Sequence, residues 1–234
     1  MQCQDYYAQL KKDYDLVRRL SDKNDSLTLL LKHKTLRQNL VFRQYAVPFP
    51  IYDYLATIAF DNLPLVYDVL HPEDGQIILE EYIEGLTVAE VLESGLYSYR
   101  GAKKVITGVC NALAVLHAQG FVHRDIKPEN VMISKDGTVK LIDFNASRKI
   151  TINAQKDTVP IGTIGYASPE QLGIAQSDTK TDIYALGVLL NVMLTGNHPS
   201  KQLAAGRAGK IVLKCTQISP HSRYHTVYEL MRAL

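Results

Sequence analysis

Residues 123 to 143 concentrate side chains that can handle charge. HRDIKPEN occupies 123–130, and Asp125 lies in its loop, just ahead of a strand-like run. A carboxylate held there can accept or orient a proton. Lys127, two residues on, is a point positive charge on a flexible stem. Asn130 follows, and Asp143 ends a strand–turn–strand built from NVMIS, KDG and VKLIDF. An amide and a carboxylate supply the oxygen ligands that Mg²⁺ prefers. Transfer of a phosphoryl group needs this set: a positioned hydroxyl, metal ions among phosphates, and a cation near the group in flight.

Four blocks are specific when taken together: HRDIKPENVMI (123–133), LIDF (141–144), GTIGYASPE (162–170) and DIYALG (182–187). In this order and at these intervals they resemble the eukaryotic-type Ser/Thr protein kinase family, including its bacterial members. The resemblance covers essentially the whole chain and is strongest in the second half. It implies an α+β, bilobal fold: a small antiparallel β lobe with one helix over 1–83, and a larger, mainly helical lobe over 84–234. It also implies ATP with Mg²⁺ or Mn²⁺ and a protein acceptor bearing a Ser or Thr hydroxyl. Asp125 matches the catalytic aspartate, Lys127 the lysine that reaches the transferred group, and Asn130 and Asp143 the metal ligands. Met132 falls where the family packs the floor of the adenine pocket. Thr163 matches the threonine that bonds the catalytic Asp and Lys. Glu170 and Arg223 resemble a buried ion pair, and Asp182 the helix aspartate that fixes the catalytic-loop backbone. His123 and Phe144 read as packing residues. Arg124 matches an arginine that pairs with a phosphorylated residue, for which Thr158, Thr151 and Ser147 are candidates, Thr158 first.

The first half departs from the family. Its phosphate loop is GxGxxGxV, and the hairpin RRLSDKNDSLTLLLK places Ser21, Lys23, Ser26 and Thr28 at those positions. Glycine there lets backbone approach phosphates closely; serine keeps an N–H and adds a hydroxyl, and Lys23 adds a cation. The strand that carries VAIK reads Leu40-Val41-Phe42-Arg43, so Arg43 stands where a lysine contacts the α/β-phosphates. That exchange keeps charge but changes size and geometry. The helix glutamate that partners this lysine should fall near Ile51, which is not acidic, and the nearby Asp53 should face elsewhere. IILEEYIEG puts Glu80 at the gatekeeper position and Glu81 and Ile83 in the nucleotide-contacting linker. A buried carboxylate needs a partner, so Glu80 is expected to pair with Arg43 in place of the missing helix acid. The metal-binding triplet ends in Asn145 rather than glycine, and asparagine tolerates positive φ best among the other residues. An active enzyme, a pseudokinase serving as a binding module, and a small-molecule kinase of the aminoglycoside or choline type all remain open. GTIGYASPE speaks against the last, because it builds a platform for a peptide acceptor.

The elements that must position these residues follow from pattern. The first 20 residues carry a tyrosine-rich helix or strand start. LTLLLK and NLVFRQY are strand-like around the turn HKTLRQ, and VPFP breaks the run. IYDYLATIAF has helical spacing. LPLVYDVL and QIILEEYI are strands about the turn HPEDG. TVAEVLESG opens a helix with a Thr87/Glu90 capping box. RGAKKVITGVCNALAVLHAQG is a long helix ending at Gly120, and DIYALGVLLNVMLTG is apolar all round, as in a buried helix. A hinge near Glu81–Glu84 would separate the lobes, with the ligand cleft there.

Composition sets the remaining bounds. The chain has 234 residues, is 46% hydrophobic and carries a net charge of +2. That is enough to bury a sizeable core, and it leaves no basic footprint for nucleic acid. Cys3, Cys110 and Cys215 have no metal-ligand spacing and read as reduced thiols of a cytoplasmic protein. No secretory leader is visible, and no apolar run approaches the roughly 18 residues of a membrane span. Oligomeric state leaves no trace in the sequence.

Overall fold

Alternation along β2 (Ser26–His33) puts Leu29 and Leu31 on one face and Leu30 on the other, yet all three are buried. Both faces of this strand are therefore covered. The computed structural model describes residues 2–23, 26–150, 163, 165–172 and 177–234. It divides the chain into two units, Met1–Glu84 and Gly85–Leu234.

The first unit opens with α1 (Cys3–Asp13) and continues into β1 (Tyr14–Lys23) and β2. Then come β3 (Asn39–Tyr45), α2 (Pro50–Leu55), β4 (Val66–Leu70) and β5 (Gln76–Glu81). The five strands form one antiparallel sheet in the order β1-β2-β3-β5-β4. α1 lies on the face carrying Leu29, Leu31, Leu40, Phe42 and Ile77, where Cys3 is fully buried and Tyr6, Tyr7 and Leu10 pack beside it. Both ends of α1 are tied to distant loops. Asp74 Oδ1 accepts from the Cys3 amide at 2.7 Å, and Lys34 Nζ donates to the carbonyls of Lys11 and Lys12 at 2.6 and 2.9 Å. These bonds satisfy terminal groups that a helix cannot pair internally and oppose its dipole with charge.

Two expectations for this unit need correction. It holds two helices rather than one, because the tyrosine-rich start is α1. The spacing in IYDYLATIAF yields only α2, which starts with Pro50 at its first turn and stops at Leu55. The polar tip of the hairpin is mostly strand: β1 pairs with β2 through Ser21↔Thr28, Asp22↔Leu27 and Lys23↔Ser26. Polar side chains do not prevent pairing on an edge strand, whose ladder is made by backbone groups. Register shifts between Leu16 and Arg18 and between Arg19 and Ser21 interrupt the same strand, and such bulges blunt an exposed edge.

The second unit starts at β6 (Gly85–Thr87), α3 (Val88–Ser94) and α4 (Tyr99–Ala118). Gly85 is required by close approach, since a Cβ there would lie 2.1 Å from the Ile133 carbonyl oxygen. The Thr87/Glu90 capping box is present on α3, and the helix α4 stops before Gly120, whose φ is 76°. Next are β7 (Phe121–Val122), β8 (Val131–Ser134), β9 (Val139–Leu141) and β10 (Arg148–Lys149). β6, β8 and β9 form one small sheet, and β7 pairs with β10. The core is α5 (Thr179–Thr195), with eleven buried residues. It packs on α4 and on α6 (Gly206–Cys215), and α7 (Val227–Ala233) closes against α4. Among the described residues no helix is long and apolar enough to cross a membrane.

Candidate active site

The loop between β7 and β8 is held by one buried carboxylate. Asp182, in the first turn of α5, is fully buried. Its Oδ2 accepts from the His123 amide at 3.0 Å and its Oδ1 from the Arg124 amide at 2.8 Å. His117 on α4 adds a bond from Nε2 to Oδ2 at 2.8 Å. Burial pushes the Asp182 pKa up, but the His117 bond and the backbone donors prevail and hold it below the usual range. Arg124 sits at φ 71°, a conformation rare for a side chain of its size. The two amide bonds to Asp182 and a third, from Gln171 Nε2 to the Arg124 carbonyl at 2.8 Å, hold it there.

His123 is buried and its ring meets Phe144 edge-on, centroids 5.3 Å apart. Burial lowers its pKa against the pull of Asp182, Asp125 and Asp143, so the ring is neutral. Its Nδ1 accepts from the Asp125 amide at 3.3 Å, which makes Nε2 the donor to the Ile142 carbonyl at 3.2 Å. One ring thus joins the loop that carries Asp125 to the strand end that carries Asp143.

Asp125, Lys127, Asn130 and Thr163 meet directly. Thr163 Oγ1 donates to Asp125 Oδ1 at 2.7 Å and accepts from Lys127 Nζ at 2.8 Å. Lys127 Nζ is also 2.8 Å from Asp125 Oδ2. Asn130 Nδ2 donates to Asp125 Oδ2 at 2.9 Å and to the Asp125 carbonyl at 2.8 Å. Burial alone would raise the Asp125 pKa. The bonds from Lys127 and Thr163, with the Lys127 charge, override it and keep the carboxyl below its ordinary value. Asp125 is therefore an ionised acceptor, suited to orienting a hydroxyl more than to removing its proton early.

Both Asn130 bonds to Asp125 run through Nδ2, which leaves Oδ1 as the amide's ligand atom. The Ile142 amide donates to the Asn130 carbonyl at 2.9 Å, tying the residue before Asp143 to Asn130. The left-handed backbone of this triplet falls on Asp143, φ 64°, and not on Asn145 as its missing glycine suggests. Aspartate tolerates that region, since its short polar side chain bonds locally. A hard carboxylate and a hard amide oxygen fit Mg²⁺, which takes one or two protein ligands and completes its shell with water and phosphate oxygens. The described residues contain no cluster of three or more His, Cys, Asp or Glu able to hold a metal.

Glu170 and Arg223 form a two-pronged buried pair: Nη1 to Oε1 at 2.6 Å and Nη2 to Oε2 at 2.9 Å. Thr181 Oγ1 adds a bond to Glu170 at 3.1 Å. In the first unit, Arg43 Nε donates to Glu80 Oε1 at 2.6 Å, with side chains only 13% and 5% exposed. Asp53 instead meets His71 Nε2 at 2.7 Å on the surface, and Ile51 is buried. Glu81 Oε2 accepts from the Leu65 amide at 3.0 Å, and Ile83 is buried. Ser21 and Ser26 lie on the paired strands, as does the backbone of Lys23, and Thr28 is buried opposite Arg43. Met132 is half-buried on β8, opposite Lys140 and Thr87. Ser147 Oγ donates to the His123 carbonyl at 3.4 Å, while Thr151 and Thr158 lie outside the described residues. His117 and Gln171 are part of this framework and were not legible as such in the sequence. The only local signal is that Gln171 directly follows the SPE block.

The protein kinase domain model matches residues 52–231. The serine/threonine-protein kinase PknL of Mycobacterium tuberculosis is 41% identical over 141 residues, covering 58% of this chain and 35% of that protein. A probable serine/threonine-protein kinase PknB of Bifidobacterium longum is 40% identical, covering 52% of this chain and 18% of its own length. A probable serine/threonine-protein kinase of Clostridium acetobutylicum is 30% identical over 207 residues, 76% of this chain and 31% of that relative. The chain thus spans between 18% and 35% of the length of these curated relatives. The family match begins after β3, and so leaves out the hairpin and Arg43. With the model matched across most of its length, the chain belongs to the protein kinase domain family.

Proposed function

We propose that the chain transfers the γ-phosphoryl group of ATP to a Ser or Thr hydroxyl of a protein. The observation that carries this reading is the set of bonds uniting Asp125, Lys127, Thr163 and Asn130. Asp125, kept ionised, accepts the hydrogen of the acceptor hydroxyl and aims its oxygen. Lys127 stands beside that carboxylate and offers positive charge to the transferred group. Thr163 bridges the two, so acceptor geometry and charge stabilisation are set by one hydroxyl. Asn130 Oδ1 and Asp143 are the metal ligands, and Mg²⁺ or Mn²⁺ bound there neutralises charge on the phosphates. In the first unit, Arg43 serves the α/β-phosphates, the backbone of Ser21, Lys23 and Ser26 the phosphates, and Glu81 and Ile83 the base; in the second, Met132 serves the base. A cytoplasmic setting fits three free, buried cysteines.

The test is autophosphorylation with Mg-ATP and with Mn-ATP, read by intact mass, with Asp125→Asn as control. Added phosphate in the unsubstituted chain and none in the variant supports transfer. A second reading, a pseudokinase that binds nucleotide or a partner without transfer, draws on the strand pairing of Ser21, Lys23 and Ser26, which holds these phosphate-loop positions in a ladder. Nucleotide binding with no phosphate added to the chain or to a generic Ser/Thr peptide would select it.

A further inference from the structure

We propose that Glu80 is the positioning residue for nucleotide binding, and that it makes this control a property of the sheet instead of α2. The proposal rests on the kinase reading of Arg43 given above. The register places Val41 opposite Glu80 and Arg43 opposite Ile78. Arg43 and Glu80 are thus diagonal neighbours on one face of adjacent strands, within reach of long side chains. Their 2.6 Å bond is nearly sealed from water, where a charged hydrogen bond is strong and little screened.

In protein kinases generally the phosphate-contacting cation is held by a glutamate on a mobile helix, so helix position switches the site on and off. Here the equivalent stretch of α2 presents buried Ile51, and its acid, Asp53, is bound to His71. The carboxylate has moved to a central strand. Strands β3 and β5 are joined by a ladder of six residue pairs and cannot separate without breaking the sheet. The cation is then fixed in place as soon as the unit folds. The change from lysine to arginine belongs to the same arrangement. Glu80 engages Nε, one of five donors on a planar fork, so a single guanidinium can serve a carboxylate and a phosphate along different edges. A lysine at 43 would have to serve both from one nitrogen.

The experiment is calorimetric titration of the full chain with Mg-ADP and with Mg²⁺ plus a non-hydrolysable ATP analogue. Variants are Glu80→Gln, Arg43→Lys, the double substitution and Asp53→Asn, each confirmed folded by circular dichroism at the working temperature. Glu80→Gln and Arg43→Lys are each expected to weaken binding roughly tenfold or more, the loss attending one charged hydrogen bond. The double variant should be no weaker than the worse single one, as for groups acting together. Asp53→Asn should stay within about twofold of the unsubstituted chain. If Glu80→Gln does not fold, Glu80→Asp, one methylene short, decides, and it too should weaken binding. Unchanged affinity in the Glu80 variant, or an equal loss in Asp53→Asn, overturns the proposal while leaving the kinase reading intact. An unsubstituted chain that binds neither nucleotide overturns both.

Discussion

All five donors of Arg223 are engaged, and replacing it gives a sharp test of the energetics. A guanidinium has five N–H donors, and each has an acceptor here. Nε bonds the Gln217 carbonyl at 2.8 Å; Nη1 bonds Glu170 and the Lys180 carbonyl; Nη2 bonds Glu170 and the Ile218 carbonyl. Arg223→Lys keeps the charge but offers three donors, so at least two acceptors lose their partner. At about 1–3 kcal/mol for each buried acceptor left unpaired, partly offset by relaxation, the loss should be about 2–4 kcal/mol. Arg223→Met removes the charge and leaves Glu170 buried without a countercharge, for about 3–5 kcal/mol. The two variants should also differ in pH dependence. Burial pushes the Glu170 pKa up, but the bonds and charge of Arg223 hold it below the ordinary value of 4.5. A depressed folded pKa contributes stability that is full above the unfolded pKa and is lost as pH falls through the folded one. In Arg223→Met burial prevails, the folded pKa rises, and stability declines as pH increases past the unfolded value. The gap between the unsubstituted chain and Arg223→Met should therefore be widest near neutral pH and shrink on acidification. Urea unfolding followed by circular dichroism between about pH 4 and 7 measures it. Arg223→Lys within about 0.5 kcal/mol of the parent, or a Met gap independent of pH, would refute the reasoning.

Thr163→Val removes the hydroxyl that joins Lys127 to Asp125, and kcat should drop about a hundredfold while Thr163→Ser stays near the parent in steady-state assays. Asp182→Asn turns an acceptor of three N–H groups into a partial donor; it should cost about 3 kcal/mol in urea unfolding and abolish turnover even where the protein is folded. Gly187→Ala places a Cβ 2.3 Å from the Cys215 Cβ, and the overpacking between α5 and α6 should cost about 1–3 kcal/mol. Cys215→Gly in the same chain removes the opposing Cβ and should shrink the penalty that Gly187→Ala adds.

The site was the most legible part of the sequence. Asp125, Lys127 and Asn130 stand at short fixed offsets within one loop, where spacing alone constrains geometry. Thr163, Glu170 and Asp182 sit in blocks whose order is as particular as their residues. The Arg43–Glu80 pairing followed from a simpler rule, that a buried carboxylate needs a cation. Other features turned on contacts no local pattern records. α2 is short because the apolar spacing in LATIAF carries no burial past Leu55: Ala56, Ala59 and Phe60 are exposed, so no buried face continues the helix. The hairpin stayed paired through SDK because backbone bonds ignore side-chain polarity. The unusual φ moved from Asn145 to Asp143 because the strain is set by how the chain leaves β9, not by which residue tolerates it best. The loops that clamp α1 lie too far along the chain for any motif to announce them.

That clamp has a consequence for the order in which the first unit can be made. An 11-residue helix is shorter than the roughly 12–15 residues that even favourable sequences need to persist alone in water. Its carboxy-terminal tether, Lys34, arrives soon after it, but Asp74 follows Cys3 by 71 residues. At about 5–20 residues per second, a translating ribosome delivers that partner on the order of 4–14 seconds later. Ile77, on the central strand beneath the helix, comes later still. Until then Cys3, Tyr6, Tyr7 and Leu10 have only the part of their sheet face that β2 and β3 supply. Within this unit the helix that is made before the sheet is among the last elements to be secured, because its amino-terminal bond waits for Asp74.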